Sequence, residues 1–212
     1  MVSYSGRDAT DHEKIIPGFE KINRYWDKTL ELNVAKILPG EYYVTASNEG
    51  VTTVLGSCVA ACIRDRLFGV GGMNHFMLPI QSSDAQGGTF GLAERYGNFA
   101  MEHLINDILK NGGRKENLEV KLFGGGKILA QLSDVGARNI AFVREYLETE
   151  NLRILGEDLG DIYPRKVMYF PATGKVLLKK LRTLHNTTVI ERETSYLEDL
   201  KKEPVQGEVD LF

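Results

Sequence analysis

The chain of 212 residues holds two cysteines, six prolines, one tryptophan and four histidines, and these scarcities exclude whole classes. Two cysteines cannot build a disulfide framework or a four-thiolate zinc centre, so a reducing compartment is expected. A basic excess is also lacking, since 26 Lys plus Arg stand against 29 Asp plus Glu for a formal net charge of −3. Without that excess, phosphates are not neutralised, and nucleic acid is not expected as a partner. Long apolar runs are missing as well. The longest uncharged stretch, residues 67–83, is broken by glycines, Asn74, His75 and Pro79 and is too short and too polar for a membrane span. The first 14 residues lack the apolar centre of a signal peptide, so a soluble, cytoplasmic protein with no direct membrane insertion is expected. What remains is ordinary globular material, 42% hydrophobic and 26% charged. A chain of this length hides roughly 70% of its unfolded surface in one core.

Three regions differ in texture. Residues 1–33 read as an arm, in which Phe19, Ile22, Tyr25 and Trp26 fall at helical spacing and predict a short amphipathic helix. That helix either packs on the main domain or binds a partner. Residues 34–184 form the main domain. Residues 33–38, 42–46, 52–63 and 69–78 read as strands, and Pro79 stops the last of them. Residues 81–91 read as an exposed loop. Tyr96, Phe99, Ala100, Leu104 and Ile108 predict a helix stopped at Gly112-Gly113. Leu118, Val120 and Leu122 alternate as in a strand, and Ile140, Val143 and Leu147 predict a second helix with Ser133 or Asp134 as cap. Residues 153–155 read as a short strand. Residues 166–170 and 175–182 form a hairpin across Ala172-Thr173-Gly174. Strands outnumber helices and come partly in hairpins, which predicts an α+β layered fold. Residues 185–212 carry seven acids against three bases, a net of −4 that leaves +1 for residues 1–184. This acidic tail is expected to be mobile.

The chemistry concentrates in Thr52-Thr53-Val54-Leu55-Gly56-Ser57-Cys58 and in Gly71-Gly72-Met73-Asn74-His75-Phe76. A cysteine after Gly-Ser, with a histidine on the neighbouring strand, fits a Cys–His nucleophilic pair. A hairpin centred on residues 65–68 would set Cys58 directly opposite His75, with Cβ atoms about 5 Å apart. A nearby imidazole is needed because a free thiol is only a few per cent thiolate at neutral pH. Thr52 is the candidate to orient the imidazole. Six residues of straight strand would hold it about 20 Å away, so the chain must bend at Gly56-Ser57. Against this stands the plain alternative in which Cys58 and His75 are core residues and Thr52 is a strand former. Cys62 lies on the same strand face and reads as filler. Gly124-Gly125-Gly126-Lys127 departs from the phosphate-loop pattern, because Lys121 and Ile128 stand where Gly and Ser or Thr belong. Cys58, Cys62 and His75 lack the spacing and the fourth ligand of a zinc site, so no metal or other cofactor is expected.

At these residues the sequence resembles a known family, the chemoreceptor glutamine deamidases CheD of bacterial chemotaxis. The likeness runs through Leu55-Gly56-Ser57-Cys58-Val59-Ala60, the stretch from Gly71 to Pro79, Phe123-Gly124-Gly125-Gly126, Val135-Gly136-Ala137-Arg138-Asn139 and Gly156-Glu157-Asp158-Leu159-Gly160 to Thr173-Gly174-Lys175. It implies a fold similar to deamidating bacterial toxins, with Cys58, His75 and Thr52 as the catalytic trio. It also implies a protein-glutamine glutaminase acting through a Cys thioester on the cytoplasmic helices of chemoreceptors, with methylesterase activity as a related possibility. Ser57, Gly71, Gly72 and Asn74 are candidate substrate contacts, the two glycines by letting a receptor helix approach the backbone. The alternative is a non-catalytic chemotaxis adaptor that binds receptors or a CheC-type phosphatase.

Overall fold

A computed structural model describes residues 15–79, 90–128, 134–182 and 187–202. Ten strands make two five-stranded sheets, and the described residues add three α-helices and a short 3-10 turn at Lys115–Asn117. The first sheet has the order β1 (Asn23–Asp27), β2 (Leu32–Lys36), β4 (Gly50–Leu55), β9 (Arg165–Phe170), β10 (Lys175–Lys180). The second has the order β3 (Tyr42–Thr45), β6 (Gly71–Asn74), β5 (Val59–Asp65), β7 (Leu118–Gly124), β8 (Ile154–Leu159). Both are mixed, since β2 runs parallel to β4 and β7 parallel to β8 while every other pairing is antiparallel. The architecture is the expected α+β layered fold.

Burial explains the layering. The central strand β5 reads Val-Ala-Ala-Cys-Ile, all buried, because the first sheet covers one of its faces and helices cover the other. The edge strand β10 alternates exposed and half-buried residues, as an edge with one wet face must. Helix α1 (Phe90–Lys110) lies across β3, β5 and β6, burying Ala93, Met101, Leu104, Ile105 and Ile108. That stripe has helical spacing, so one face of α1 is apolar. Gly112 then takes a positive φ of 101° and Gly113 N–H bonds the Ile108 carbonyl at 3.0 Å, ending the helix. Helix α2 (Val135–Thr149) packs beside α1 and on β5. Asp134 makes no side-chain cap bond, and Ser133 and the loop expected over 81–91 lie outside the described residues, apart from the first turn of α1.

Two expectations about the chain ends change. Residues 23–27 are strand β1, not part of a helix, and β1 forms a hairpin with β2. The helical spacing of Phe19, Ile22, Tyr25 and Trp26 was coincidental: Phe19 is 5% exposed in the core while Trp26 is 57% exposed on the edge strand. At the other end, residues 187–202 are a packed helix, α3 (Thr187–Lys202), and not an unstructured acidic tail. Val189, Ile190, Glu193, Tyr196 and Leu197 form its inner stripe at spacings of three and four. Of the acids that marked the segment, Glu193 is buried within that stripe while Glu191, Glu198 and Asp199 are exposed; residues 203–212 lie outside the described residues.

Candidate active site

The site forms where the chain crosses from the first sheet to the second. Gly56-Ser57-Cys58 links the end of β4 to the start of β5, and three neighbours fix its carbonyls. Gly126 N–H bonds the Gly56 carbonyl at 2.7 Å and Gly125 N–H bonds the Cys58 carbonyl at 2.7 Å. Asn139 on α2 bonds the Ser57 carbonyl through Nδ2 at 2.9 Å, while its Oδ1 accepts Leu78 N–H at 2.9 Å. With all three carbonyls held on one side, the amides of residues 56–58 point together on the other and form an anion-binding nest. The triple glycine that failed as a phosphate loop thus acts as a backbone clamp. Gly124, at a φ of +113°, lies so close that a Cβ would stand 2.1 Å from the Cys58 carbonyl oxygen.

His75 follows β6 and meets Cys58 across the β5–β6 ladder, though not in the expected register. Cys62 pairs with Met73 and Val59 with Phe76, which sets His75 diagonal to Cys58 instead of directly opposite. The cause is the turn. Asp65 Oδ1 accepts Leu67 N–H at 2.7 Å and Phe68 N–H at 2.9 Å, and Asp65 N–H bonds the Val70 carbonyl at 2.8 Å. The Asx turn widens the loop and shifts the ladder centre by one residue. Diagonal neighbours remain within reach of an imidazole and a thiol. An imidazole nitrogen of His75, the Cys58 sulfur and a Glu193 carboxylate oxygen lie within 4.8 Å of one another.

The residue that meets the imidazole is Thr53, whose Oγ1 stands 2.7 Å from His75 Nδ1. Thr52, the expected partner, instead donates its hydroxyl to the Val167 carbonyl at 2.8 Å. Strand pleating explains the exchange. Thr53 pairs with Val167 and shares its face with Val51 and Leu55 toward the second sheet, whereas Thr52 pairs with Met168 on the opposite face. The network also assigns the tautomer. Thr53 has one hydroxyl proton and donates it to the Ile37 carbonyl at 2.8 Å. It therefore accepts from Nδ1–H, which leaves Nε2 as the unprotonated nitrogen. Nε2 is buried and, among the described residues, has no hydrogen-bond partner.

Of the other residues singled out in the sequence, Ser57 belongs to the nest, Asn74 lines a cavity beside His75, and the two glycines are packed inside the fold. Gly71 and Gly72 are buried strand residues. A Cβ on Gly71 would stand 2.6 Å from the Ile63 carbonyl oxygen, and one on Gly72 would stand 2.1 Å from that of Tyr43. Their missing side chains let the strands and α1 close up, so no helix can approach them from outside. Asn74 is buried and mends the ladder, accepting Ala61 N–H at 2.8 Å and donating to the Ala100 carbonyl at 3.0 Å. Cys62 is buried in the core, and burial pushes its thiol far above the usual range.

A residue that sequence reasoning placed in a loose tail fills the nest. The Glu193 carboxylate on α3 is 1% exposed. It accepts Gly56 N–H at 2.8 Å and Cys58 N–H at 3.3 Å on Oε1, and Ser57 N–H at 2.9 Å and Ser57 Oγ–H at 2.6 Å on Oε2. The signal that could have found it is an acid in the middle of an apolar helical stripe. Cys58, His75 and Glu193 form the one donor cluster of metal-ligand type among the described residues. Four hydrogen bonds already occupy the carboxylate's lone-pair directions, which fits an anion held by amides and leaves no donor to a cation. Burial, reinforced by the Glu193 carboxylate, pushes the Cys58 thiol well above its usual range. Burial, with a smaller contribution from the Arg192 cation, lowers the His75 pKa to about 3. As seated, the pair is a neutral thiol beside a neutral imidazole.

The chain is also similar in sequence to known proteins. Residues 77–180 match the family model described as CheD chemotactic sensory transduction. A protein of Halorhodospira halophila named "Probable chemoreceptor glutamine deamidase CheD" is 56% identical over 200 residues, 93% of each chain. Proteins of the same name from Methylobacillus flagellatus and Hahella chejuensis are 56% and 51% identical, over 90% and 93% of this chain and 95% and 93% of their own. No helix among the described residues is long and apolar enough to cross a membrane. A buried cysteine and histidine, a threonine on the imidazole and a nest of amides beside the sulfur thus sit in a chain that belongs to the CheD family.

Proposed function

We propose that the protein is a chemoreceptor glutamine deamidase in which Cys58 is the nucleophile, His75 the general base and acid, and Thr53 the positioning residue. The observation that carries this reading is the nest beside Cys58, which holds a side-chain carboxylate of glutamic acid, the chemical product of glutamine deamidation. The carboxamide oxygen of a glutamine can take the place of Oε1 and accept the Gly56 and Cys58 N–H groups, with the Ser57 hydroxyl turned to accept from the amide NH2.

The steps follow from the atoms. His75 Nε2 takes the Cys58 thiol proton, and the sulfur attacks the carboxamide carbon. The oxygen gathers negative charge and is held by the amides of residues 56–58, donors of a type each worth several kcal/mol when preorganised. The carbon–nitrogen bond breaks as His75 returns the proton, and ammonia leaves behind a thioester. Water, deprotonated by His75, adds to the thioester, the carbon–sulfur bond breaks, and glutamate remains. Thr53 keeps Nδ1–H engaged throughout, as the third member of such a triad must. A cavity of about 80 Å³ reaches His75 between Gly40, Tyr96, Phe99 and His103, with space for the hydrolytic water and the leaving ammonia. A glutamyl methyl ester presents the same carbonyl to the nest, so receptor methylesterase activity is accessible to this chemistry with methanol as leaving group.

A chemoreceptor cytoplasmic fragment tests the reading. The wild-type protein releases ammonia from it and converts specific glutamines to glutamate, while Cys58→Ala releases none. Ammonia release by Cys58→Ala at the wild-type rate would overturn it. Absence of conversion by the wild type, with the receptor fragment still bound, would favour a non-catalytic adaptor.

A further inference from the structure

We propose that α3 is a built-in product mimic: Glu193 occupies the seat of the target glutamine, and α3 must leave before a substrate helix can bind. The inference rests on the deamidase reading and adds to it a regulatory device and a description of the substrate.

The seat is fully occupied. The carboxylate uses every N–H of residues 56–58 and the Ser57 hydroxyl. A second side chain cannot share that seat, and with α3 in place both Cys58 and His75 are about 1% exposed or less. The helix is also anchored on either side of it. Leu197 is buried in the main core, with Ile190 and Tyr196 packed against it. The Tyr196 hydroxyl meets that of Tyr96 and lies over Gly40, where a Cβ would stand 2.7 Å away. The plug therefore binds through apolar contacts flanking the carboxylate, as a substrate helix would.

Charge on α3 holds the site at rest. A thiol–imidazole pair is armed by moving a proton from sulfur to nitrogen. Glu193 resists the negative sulfur and Arg192 resists the positive ring, so two adjacent residues of α3 oppose both halves of that transfer. A neutral carboxamide in place of the carboxylate removes the first opposition. The seated helix also describes what replaces it. Ile190, Tyr196 and Leu197 stand at −3, +3 and +4 from Glu193, so the favoured target is a glutamine within an amphipathic helix bearing apolar residues at those offsets.

Glu193→Gln in the full chain turns the mimic into a substrate. Cys58 attacks the carboxamide introduced at position 193, ammonia leaves, and water restores glutamate with a gain of about 1 Da on the peptide that carries the position. Mass mapping is expected to find glutamate there in Glu193→Gln, and unconverted glutamine in Glu193→Gln combined with Cys58→Ala. A second measurement needs no turnover: Glu193→Ala should raise the rate of Cys58 alkylation by iodoacetamide roughly tenfold or more, because unseating exposes the thiol. If the introduced glutamine persists in a protein that converts receptor glutamines, α3 is not a mimic, although the deamidase reading stands. If neither converts, that reading falls and this inference with it. Conversion of the introduced glutamine that is equally fast without Cys58, or alkylation unchanged in Glu193→Ala, also overturns the proposal.

Discussion

Single atoms decide the chemistry at the residue scale. Thr53 accepts from His75 Nδ1 because its own proton is committed to the Ile37 carbonyl, and this leaves Nε2 as the nitrogen able to accept a proton. Thr53→Val keeps the β-branched shape and removes the acceptor, so kcat for receptor deamidation should fall about 100-fold. Thr52→Val, which loses only a bond to the Val167 carbonyl, should stay within roughly threefold of wild type. Equal losses would place the imidazole partner elsewhere. His75 also couples the site to stability. Its folded pKa of about 3 lies below the ordinary 6.5. Between those values the unfolded chain binds a proton that the folded chain refuses, so stability rises with pH and is lost as pH falls. The slope from this group approaches about 1.4 kcal/mol per pH unit. The groups facing the ring are Cys58 from the crossover and Thr53 from β4, with Arg192 and Glu193 from α3. Urea midpoints at pH 7 and pH 5 should fall further for wild type than for His75→Gln, by about 2 kcal/mol of stability. Identical decreases would contradict a buried neutral imidazole.

Turns and clamps do the positioning at the scale of elements. The sequence showed Cys58 and His75 on adjacent strands because a β-branched run, a charged turn and a second apolar run leave little else. It did not show the register, because Asp65 binds the turn amides with its side chain, and moving the ladder centre by one residue shifts every pairing by two. Nor did it show Thr53: two adjacent threonines have the same propensity, and only the pleat against β9 separates them. Asn139 was legible as part of a resemblance but not as a clamp. It joins α2 to the Ser57 carbonyl and the Leu78 amide. Asn139→Ala orphans both buried groups, which should cost about 2–4 kcal/mol in urea unfolding, and should lower kcat by loosening the nest. A loss under about 0.5 kcal/mol would mean that neither group depends on the asparagine.

For the whole molecule, layering is what makes a site out of residues scattered along the chain. The first sheet brings Thr53, the crossover brings Cys58, the second sheet brings His75, α2 brings Asn139 and α3 brings Glu193. The α+β class was legible from strand count and hairpins, and so were the β9–β10 hairpin and helices α1 and α2. The chain ends were not. Residues 23–27 imitate helical spacing on an edge strand, and the many charged residues of α3 conceal an apolar stripe with Glu193 at its centre. All five elements converge on the Cys58 thiol and the His75 imidazole, the pair proposed to convert receptor glutamine to glutamate. The most direct test is the rate of site-resolved Gln-to-Glu conversion on a chemoreceptor cytoplasmic fragment, followed by mass spectrometry for wild type, Cys58→Ala and His75→Gln. Conversion by wild type alone, with both variants at background, is the predicted result. Conversion that survives either substitution at the wild-type rate would contradict it.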